Sequence, residues 1–324
     1  MLNCSTAGGL IFLMTLGSPV SASVASLVKN GEPQAVIVVP DRPFPVVAYA
    51  AEELQYHLER ATGARLPVVN ESEKPEGLEG YIYLGACSAT NEARVSTAKM
   101  AAAGFVIRTV GANLFLAGDD SDGPVGSHAA CTRHGTLWAV YQFLEEQMGV
   151  RWAWPGTLGE IIPATKDLQV AELDQAGQPR LLQSMLIVPS VSRTDDALGW
   201  ASAAARDKFF QDQDRWLLRH RFATTTNLAY GHAFGNYWRR FGQSHPEFFN
   251  MAPNGRRKPL PWDATGAAIS LCVSQPALWK QIVEDWAKSP ASPARPYLNA
   301  CENDSPGMCA CLACRAWDAR DPRF

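Results

Sequence analysis

The stretch AVIVVPDRPFPVVAYAAEELQYHLERATGARLPVV, Ala35 to Val69, decides how the first half of the chain is read. Ala35–Val39 is dominated by β-branched residues, the composition of a buried strand. Pro40, Pro43 and Pro45 punctuate its exit, and then Ala50, Leu54, Leu58 and Ala61 recur at the spacing that lines one face of a helix. Gly63 supplies the C-terminal cap, because glycine enters the left-handed region without penalty. Leu66–Val69 begins a second strand. Strand-like runs follow at Tyr81–Leu84, Phe105–Thr109 and Leu114–Ala117, and a second amphipathic helix carries Leu137, Val140, Tyr141, Leu144 and Met148 before Gly149 stops it. Strands alternating with helices predict an α/β domain. Asp119, Asp120 and Asp122 in the turn GDDSDG lack the distal Glu of an EF-hand calcium loop, so a solvated turn is expected there.

Composition narrows the partners. The 324 residues are 47% hydrophobic and 19% charged, an ordinary globular balance with length enough for two cores. A net charge of -3 with no long basic run leaves no footprint for nucleic acid or anionic lipid, and a neutral or weakly charged small substrate fits better. At the N-terminus an apolar run, Leu10 to Leu16, precedes Gly17, Ser18, Pro19 and the small residues Val20-Ser21-Ala22, the pattern of an export signal over residues 1–25. The run is too short to span a bilayer. No Lys or Arg precedes Lys29, so the positive region of a leader is missing, and the competing expectation is a buried or frayed N-terminal segment. Export predicts a secreted or periplasmic protein, with no membrane span.

The helix at 50–63 and the segment HGTLWAVYQFLEEQMGVRWAWPGTLGEIIP, His134 to Pro163, carry a resemblance. Together they look like the non-catalytic N-terminal domain that precedes the catalytic barrel in α-glucuronidases and, in related form, β-N-acetylhexosaminidases. The resemblance covers residues 30–170 and rests on the Gly-capped helix, the Gly-Val-Arg-Trp turn and the closing Gly-Glu-Ile-Ile-Pro. It implies a packing role for these residues and an independently folding unit.

A linker rich in Gln, Gly and Pro, Asp174 to Pro179, is expected next. Beyond it, strand-like segments at Leu181–Val188, Thr224–Tyr230, Ala268–Val273 and Tyr297–Ala300 alternate with helix-like Asp207–Arg219 and Pro276–Ala287, which points to parallel strands with crossover helices. GHAFGNYWRRFGQSHPEFFNM, SLCVSQPALW and NDSPGMCACLACRAWD resemble the domain of unknown function 4838, a barrel domain of secreted bacterial proteins assumed to act on carbohydrate. The two resemblances imply an α/β sandwich-like domain followed by a (β/α)8 (TIM) barrel. Residues 180–324 amount to roughly 145 positions, against about 250 for a complete barrel, so the expectation is an incomplete barrel of four β/α units.

If Tyr297–Ala300 is the fourth barrel strand, Cys301-Glu302-Asn303-Asp304 lies at its C-terminal end, where barrel enzymes build active sites. Glu302 and Asp304 are two apart and would share a face of a continuing strand. Paired carboxylates with unequal burial divide acid and base roles, the need of glycoside hydrolysis. The bland alternative is that they cap a helix or solvate a loop. His232 is a candidate for binding sugar hydroxyls or assisting proton transfer, against a histidine satisfied by a loop carbonyl. Trp238 and Trp262 offer stacking faces for a sugar, against core packing. His245 precedes a proline and shapes a turn. Cys309, Cys311 and Cys314 have metal-like spacing, and Cys272 or Cys301 would complete four ligands. Zinc in a structural role is slightly favoured over two disulfides, because Cys-x-Cys is cramped for pairing within its own loop. No cofactor is expected for catalysis. These readings predict a secreted glycoside hydrolase-like protein, truncated and α-glucuronidase- or hexosaminidase-like, acting on a polysaccharide or glycoconjugate. The alternative is a non-catalytic carbohydrate-binding or structural accessory protein.

Overall fold

A computed structural model of the chain describes residues 25–95, 97, 100–127, 131–181, 183–186, 199–200, 202–224, 231–290, 297–304 and 308–318. The expected export signal, apart from Ala25, and positions 182, 187–188 and 225–230 of the expected barrel strands lie outside these residues. The chain divides into two units, Met1–Thr225 and Thr226–Phe324.

The first unit opens with β1 (Ala25–Lys29), β2 (Glu32–Pro33) and β3 (Ala35–Val39). All five residues of β3 are buried, and their alternation splits them between two cores: Ala35, Ile37 and Val39 on one side, Val36 and Val38 on the other. A strand covered on both faces is what a continuous apolar run without polar alternation encodes. α1 (Pro45–Thr62) starts on a proline, whose missing N–H would be unpaired in the first turn anyway, and stops at Gly63, at φ 80° with its N–H donating to the Glu59 carbonyl at 2.8 Å. The face carrying Ala50, Leu54, Leu58 and Ala61 is buried.

There follow β4 (Val68–Asn70), β5 (Gly80–Leu84), α2 (Ser88–Glu92), β6 (Phe105–Val110), β7 (Asn113–Gly118), α3 (Gly135–Gln147), β8 (Arg151–Trp152), β9 (Glu160–Ile161), β10 (Leu168–Val170) and β11 (Asp174–Gly177). The main sheet has the order β11-β6-β7-β5-β3-β4. Its β4, β3, β5 and β7 run parallel, β6 is antiparallel to β7, and β11 is antiparallel to β6. Helices α1 and α3 pack with the larger core cluster. β7 and α3 approach so closely that a Cβ on Gly118 would lie 2.2 Å from the Gly135 carbonyl carbon, which leaves room for glycine alone.

Two expectations for this half are corrected. Residues 174–177 form β11, in register from Asp174 opposite Arg108 to Gly177 opposite Phe105, and so are sheet edge rather than linker. The polar composition suits an edge strand, and Gly177 leaves the space that the Phe105 ring fills. The GDDSDG turn is solvated only in part. Asp120 accepts from the Thr136 N–H at 2.8 Å and from its hydroxyl at 2.5 Å, and so holds the start of α3. Burial lifts its pKa to about 6 against the hydrogen bonds from Thr136. Asp119 pairs with Arg133 at 2.7 Å.

The first unit continues through β12 (Gln183–Ser184), α4 (Ala203–Arg219) and β13 (Ala223–Thr224), which pairs antiparallel with β12. Packing thus puts the seam after Thr225, whereas the sequence suggests a division between 170 and 180. α4 is tied down by its last turn. Arg219, 4% exposed, donates from Nε to Glu53 at 2.8 Å and from Nη1 to Glu160 at 2.8 Å, and Glu160 also accepts from the Tyr56 hydroxyl at 2.6 Å. Trp216 donates its indole N–H to the Trp152 carbonyl at 2.9 Å.

The second unit contains α5 (Tyr237–Phe241), a 3-10 turn at Pro246–Phe248, α6 (Pro276–Lys288) and α7 (Leu312–Trp317). Its core gathers Phe234, Tyr237, Phe248, Phe249, Ile269, Leu271, Leu278 and Ile282. His245 stacks on Phe248 at 4.7 Å and opens the 3-10 turn, in line with a turn-shaping role. The strands expected at 268–273 and 297–300 do not form; among the described residues this unit has an isolated bridge, Phe249 to Leu271, and no ladder. The bridge takes the Ser270 carbonyl and the Cys272 N–H, and side chains take other backbone groups of 267–271. Asp263 accepts from the N–H groups of Ala267 and Ala268, both at 3.0 Å, Glu302 accepts from Leu271, and Asn303 donates to the Ile269 carbonyl at 2.9 Å. The whole is a mixed α/β protein, and no helix among the described residues is long and apolar enough to cross a membrane.

Candidate functional site

Segments 231–233, 269–274, 299–304 and 308–314 of the second unit hold most of the side chains that the sequence nominates. The backbone N–H of Ala233 donates to the Cys301 carbonyl at 3.0 Å, and the Asn299 amide donates to the Gly231 carbonyl at 2.9 Å. These bonds place the His232 ring over the acidic stretch. His232 Nδ1 donates to the Glu302 carbonyl at 2.7 Å, and Nε2 faces the Asp304 carboxylate at 3.1 Å. Both partners are acceptors, so the doubly protonated ring satisfies both at once. The carbonyl bond first, then the Asp304 charge, raise the His232 pKa above its ordinary value.

Glu302 and Asp304 do not share a face. Glu302 turns inward, its Oε1 receiving the Leu271 N–H, and burial raises its pKa against that hydrogen bond. Asn303 between them is buried, and its Oδ1 has no hydrogen-bond partner among the described residues. Asp304 is turned out, its side chain 89% exposed. Strand alternation fails because the stretch is not a strand: Cys301 spends its N–H on the Asn299 side chain at 2.9 Å. The arrangement keeps one carboxyl partly desolvated and one in solvent beside an imidazole, the inequality that acid and base roles need.

The two tryptophans part ways. Trp262 is 63% exposed and available as a stacking face. Trp238 packs edge-on against Phe249 at 4.9 Å, with Gly242 and Gly266 close against its ring, and serves the core.

Four cysteines converge. The sulfurs of Cys272, Cys309, Cys311 and Cys314 lie within 4.8 Å of one another. Cys301 stands outside this group, its Sγ 3.8 Å from the Glu302 carbonyl. Cys311 caps α7, accepting from the Cys314 N–H at 3.4 Å; that bond and the Ser274 hydroxyl lower its pKa to about 5, while burial raises that of Cys309. Sequence reasoning missed two neighbours. Ser274 Oγ is 3.1 Å from Cys314 Sγ and 3.6 Å from Cys311 Sγ. Arg257 lies beside Cys272 and Cys311. Ser274, two residues from Cys272, could have been found from spacing; Arg257, distant along the chain from every cysteine, could not.

A cavity of about 590 Å³ in the first unit is lined by Phe105, Trp138, Gln142, Glu146, Arg180 and Arg221 among others. Glu146 is the one acid in that lining, so the cavity offers no carboxylate pair, and its size does not make it the site of the chemistry nominated here.

Fold and site together define a two-unit α/β protein with a tetracysteine cluster in the same unit as an acidic loop. The chain belongs to the family described as Domain of unknown function (DUF4838), which matches residues 154–323. No curated protein matches the sequence. Among solved structures it is similar to a family GH115 4-O-methyl-α-glucuronidase with specificity for decorated arabinogalactans, at 16% identity and a TM-score of 0.26 over 46% of this chain and 18% of that one. It is also similar to a mutant Streptomyces plicatus β-hexosaminidase in complex with product GlcNAc, at 15% identity and a TM-score of 0.35 over 83% of this chain and 55% of that one. A second mutant of that hexosaminidase gives 16% identity and 0.32 over the same shares. The chain spans 18% to 55% of the length of these proteins, and at such scores the likeness sets neither its fold nor its activity.

Proposed function

We propose that this is an exported glycoside hydrolase-like protein, acting on the glycosidic bond of a polysaccharide or glycoconjugate. The observation that carries the proposal is the clamped His232, held between the Glu302 carbonyl and the Asp304 carboxylate within one short acidic stretch. Asp304 takes the acid–base role with His232 positioning it, and Glu302, partly buried with a raised pKa, is the second carboxyl. Trp262 is the sugar-stacking face. The resemblance of residues 30–170 to the domain that precedes α-glucuronidase and hexosaminidase barrels supports this class of substrate. The incomplete (β/α)8 barrel belongs to the same proposal: segments 269–271 and 302–303 lie side by side, as consecutive barrel strands do, although side chains bridge them in place of a ladder. The apolar run at Leu10–Leu16 supports export.

A second function, carbohydrate binding without turnover, is favoured by the 89% exposure of Asp304, which leaves most of that carboxylate in water. One experiment separates the two. The chain is screened for binding and hydrolysis on a panel of aryl glycosides and polysaccharides. Hydrolysis that falls by about 10²-fold or more in Asp304→Asn supports the enzyme; binding without hydrolysis supports the second function. Neither binding nor hydrolysis across the panel overturns both.

A further inference from the structure

We propose that Cys272, Cys309, Cys311 and Cys314 bind one zinc ion as four thiolates, in a closed tetrahedral site that holds segment 308–318 in place. The sulfur spacing is that of a coordination shell. Zinc–thiolate bonds of about 2.3 Å in a tetrahedron put the sulfurs about 3.8 Å apart. Cys272 Sγ is 3.7 Å from Cys311, 3.7 Å from Cys314 and 3.6 Å from Cys309. A disulfide would draw one such pair to about 2.0 Å and give Cys272 a single partner. A central cation uses all the contacts at once. Four soft sulfur donors in tetrahedral array suit zinc, and a shell closed by four thiolates leaves no position for substrate, so the role is structural.

The surroundings match the charge that such a centre carries. Zinc with four thiolates has a net charge of about -2, and burying it requires donors around the sulfurs. Met251 donates its N–H to Cys309 Sγ at 3.2 Å, Cys314 donates to Cys311 Sγ at 3.4 Å, and the Ser274 hydroxyl reaches Cys314 at 3.1 Å. The Arg257 guanidinium beside Cys272 and Cys311 adds a positive charge.

α7 has six residues, far too few to persist alone. Its large apolar side chains face solvent, Leu312 at 83% and Trp317 at 69% exposed, and Met308 before it is 79% exposed. The side it buries is the cysteine side: the local cluster consists of Cys272, Cys309 and Cys314 with Met251 and Cys311 packed on it. Four thiols and one methionine make a poor core, but four ligands on one ion make a strong anchor.

The test uses the full chain purified without added metal. Elemental analysis should find about one zinc per chain, released by a mercurial thiol reagent. Cys314→Ser should lose the metal, and Cys301→Ser, outside the cluster, should keep it. Should Cys314→Ser fail to fold, cobalt reconstitution of the unaltered chain decides: the visible d–d bands of a tetrahedral tetrathiolate support the site, and their absence overturns it. Protease cleavage within 308–318 should appear when the metal is stripped under reducing conditions. Metal-free protein without free thiols on denaturation, an equivalent of iron in place of zinc, or zinc retained in a folded Cys314→Ser variant would each overturn the proposal.

Discussion

Replacing Arg219 with methionine should be among the most damaging single changes in the first unit. The side chain keeps its length and loses its charge, which strands two carboxylates. Glu53 and Glu160 are 7% and 5% exposed at the side chain, and Arg219 is 4% exposed, so water cannot replace the lost guanidinium. Removing one partner of a buried pair costs about 3–5 kcal/mol. That is a large share of the 5–15 kcal/mol that separates folded from unfolded domains. Arg65, paired with Glu59 at 66% and 41% exposure, provides the comparison: Arg65→Met should cost about 0–1 kcal/mol. The assay is urea unfolding of a 25–225 fragment and both variants across pH 4 to 8. In the parent, burial works to raise the Glu160 pKa, but the hydrogen bonds from Tyr56 and Arg219 and the Arg219 charge outweigh it and hold it low. A depressed carboxylate contributes stability that is present above its unfolded pKa of about 4.3 and is lost as pH falls through the folded value. Without Arg219 burial dominates at Glu160 and its pKa rises, so the variant loses stability as pH climbs and the gap to the parent widens from pH 4 to 7. An Arg219→Met cost equal to that of Arg65→Met, or a gap independent of pH, would refute this reasoning.

The same contacts revise the expectation that residues 30–170 fold alone. That fragment lacks β1, which pairs with β10, as well as β11 and Arg219, so residues 25–225 should unfold cooperatively while 30–170 should give a broad, early transition; equal midpoints in urea would count against it. For His232, NMR titration should give a pKa above the ordinary value of about 6.5, lowered by Asp304→Asn. Because that pKa is raised on folding, the pairing stabilises fully below about pH 6.5 and fades as pH rises through the folded value; an unchanged titration in Asp304→Asn would remove the ion pair.

The first unit was readable because its signals are periodic and local. Ala35–Val39 and the face Ala50, Leu54, Leu58, Ala61 encode strand and helix through burial alone, and Gly63 marks the stop through its own backbone. Residues 174–177 read as a linker because an edge strand is held by backbone bonds to β6, which composition does not record. The second unit misled for the opposite reason. Ala268–Val273 has strand composition, but Asp263, Glu302 and Asn303 take up several of its backbone groups, and Glu302 and Asn303, 31 and 34 residues from their partners, cannot be foreseen from local pattern. At the candidate site, spacing pointed to Cys309, Cys311 and Cys314, and the structure selects Cys272 over Cys301 as the fourth sulfur beside them. The alternation rule for Glu302 and Asp304 failed with the strand that it assumed.

The Arg219 cluster also bears on how such chains can be recombined. The family match starts at residue 154, so Glu160 and Arg219 fall within it while Glu53 belongs to the stretch in front. A gene crossover at the family boundary would deliver a guanidinium into a foreign host domain, and the hybrid would fold well only where that host already carried an acid at the receiving position on its first helix. The matched segment is therefore not the piece that can be exchanged: a viable graft has to be cut after Thr225, or the front domain and α4 must change together.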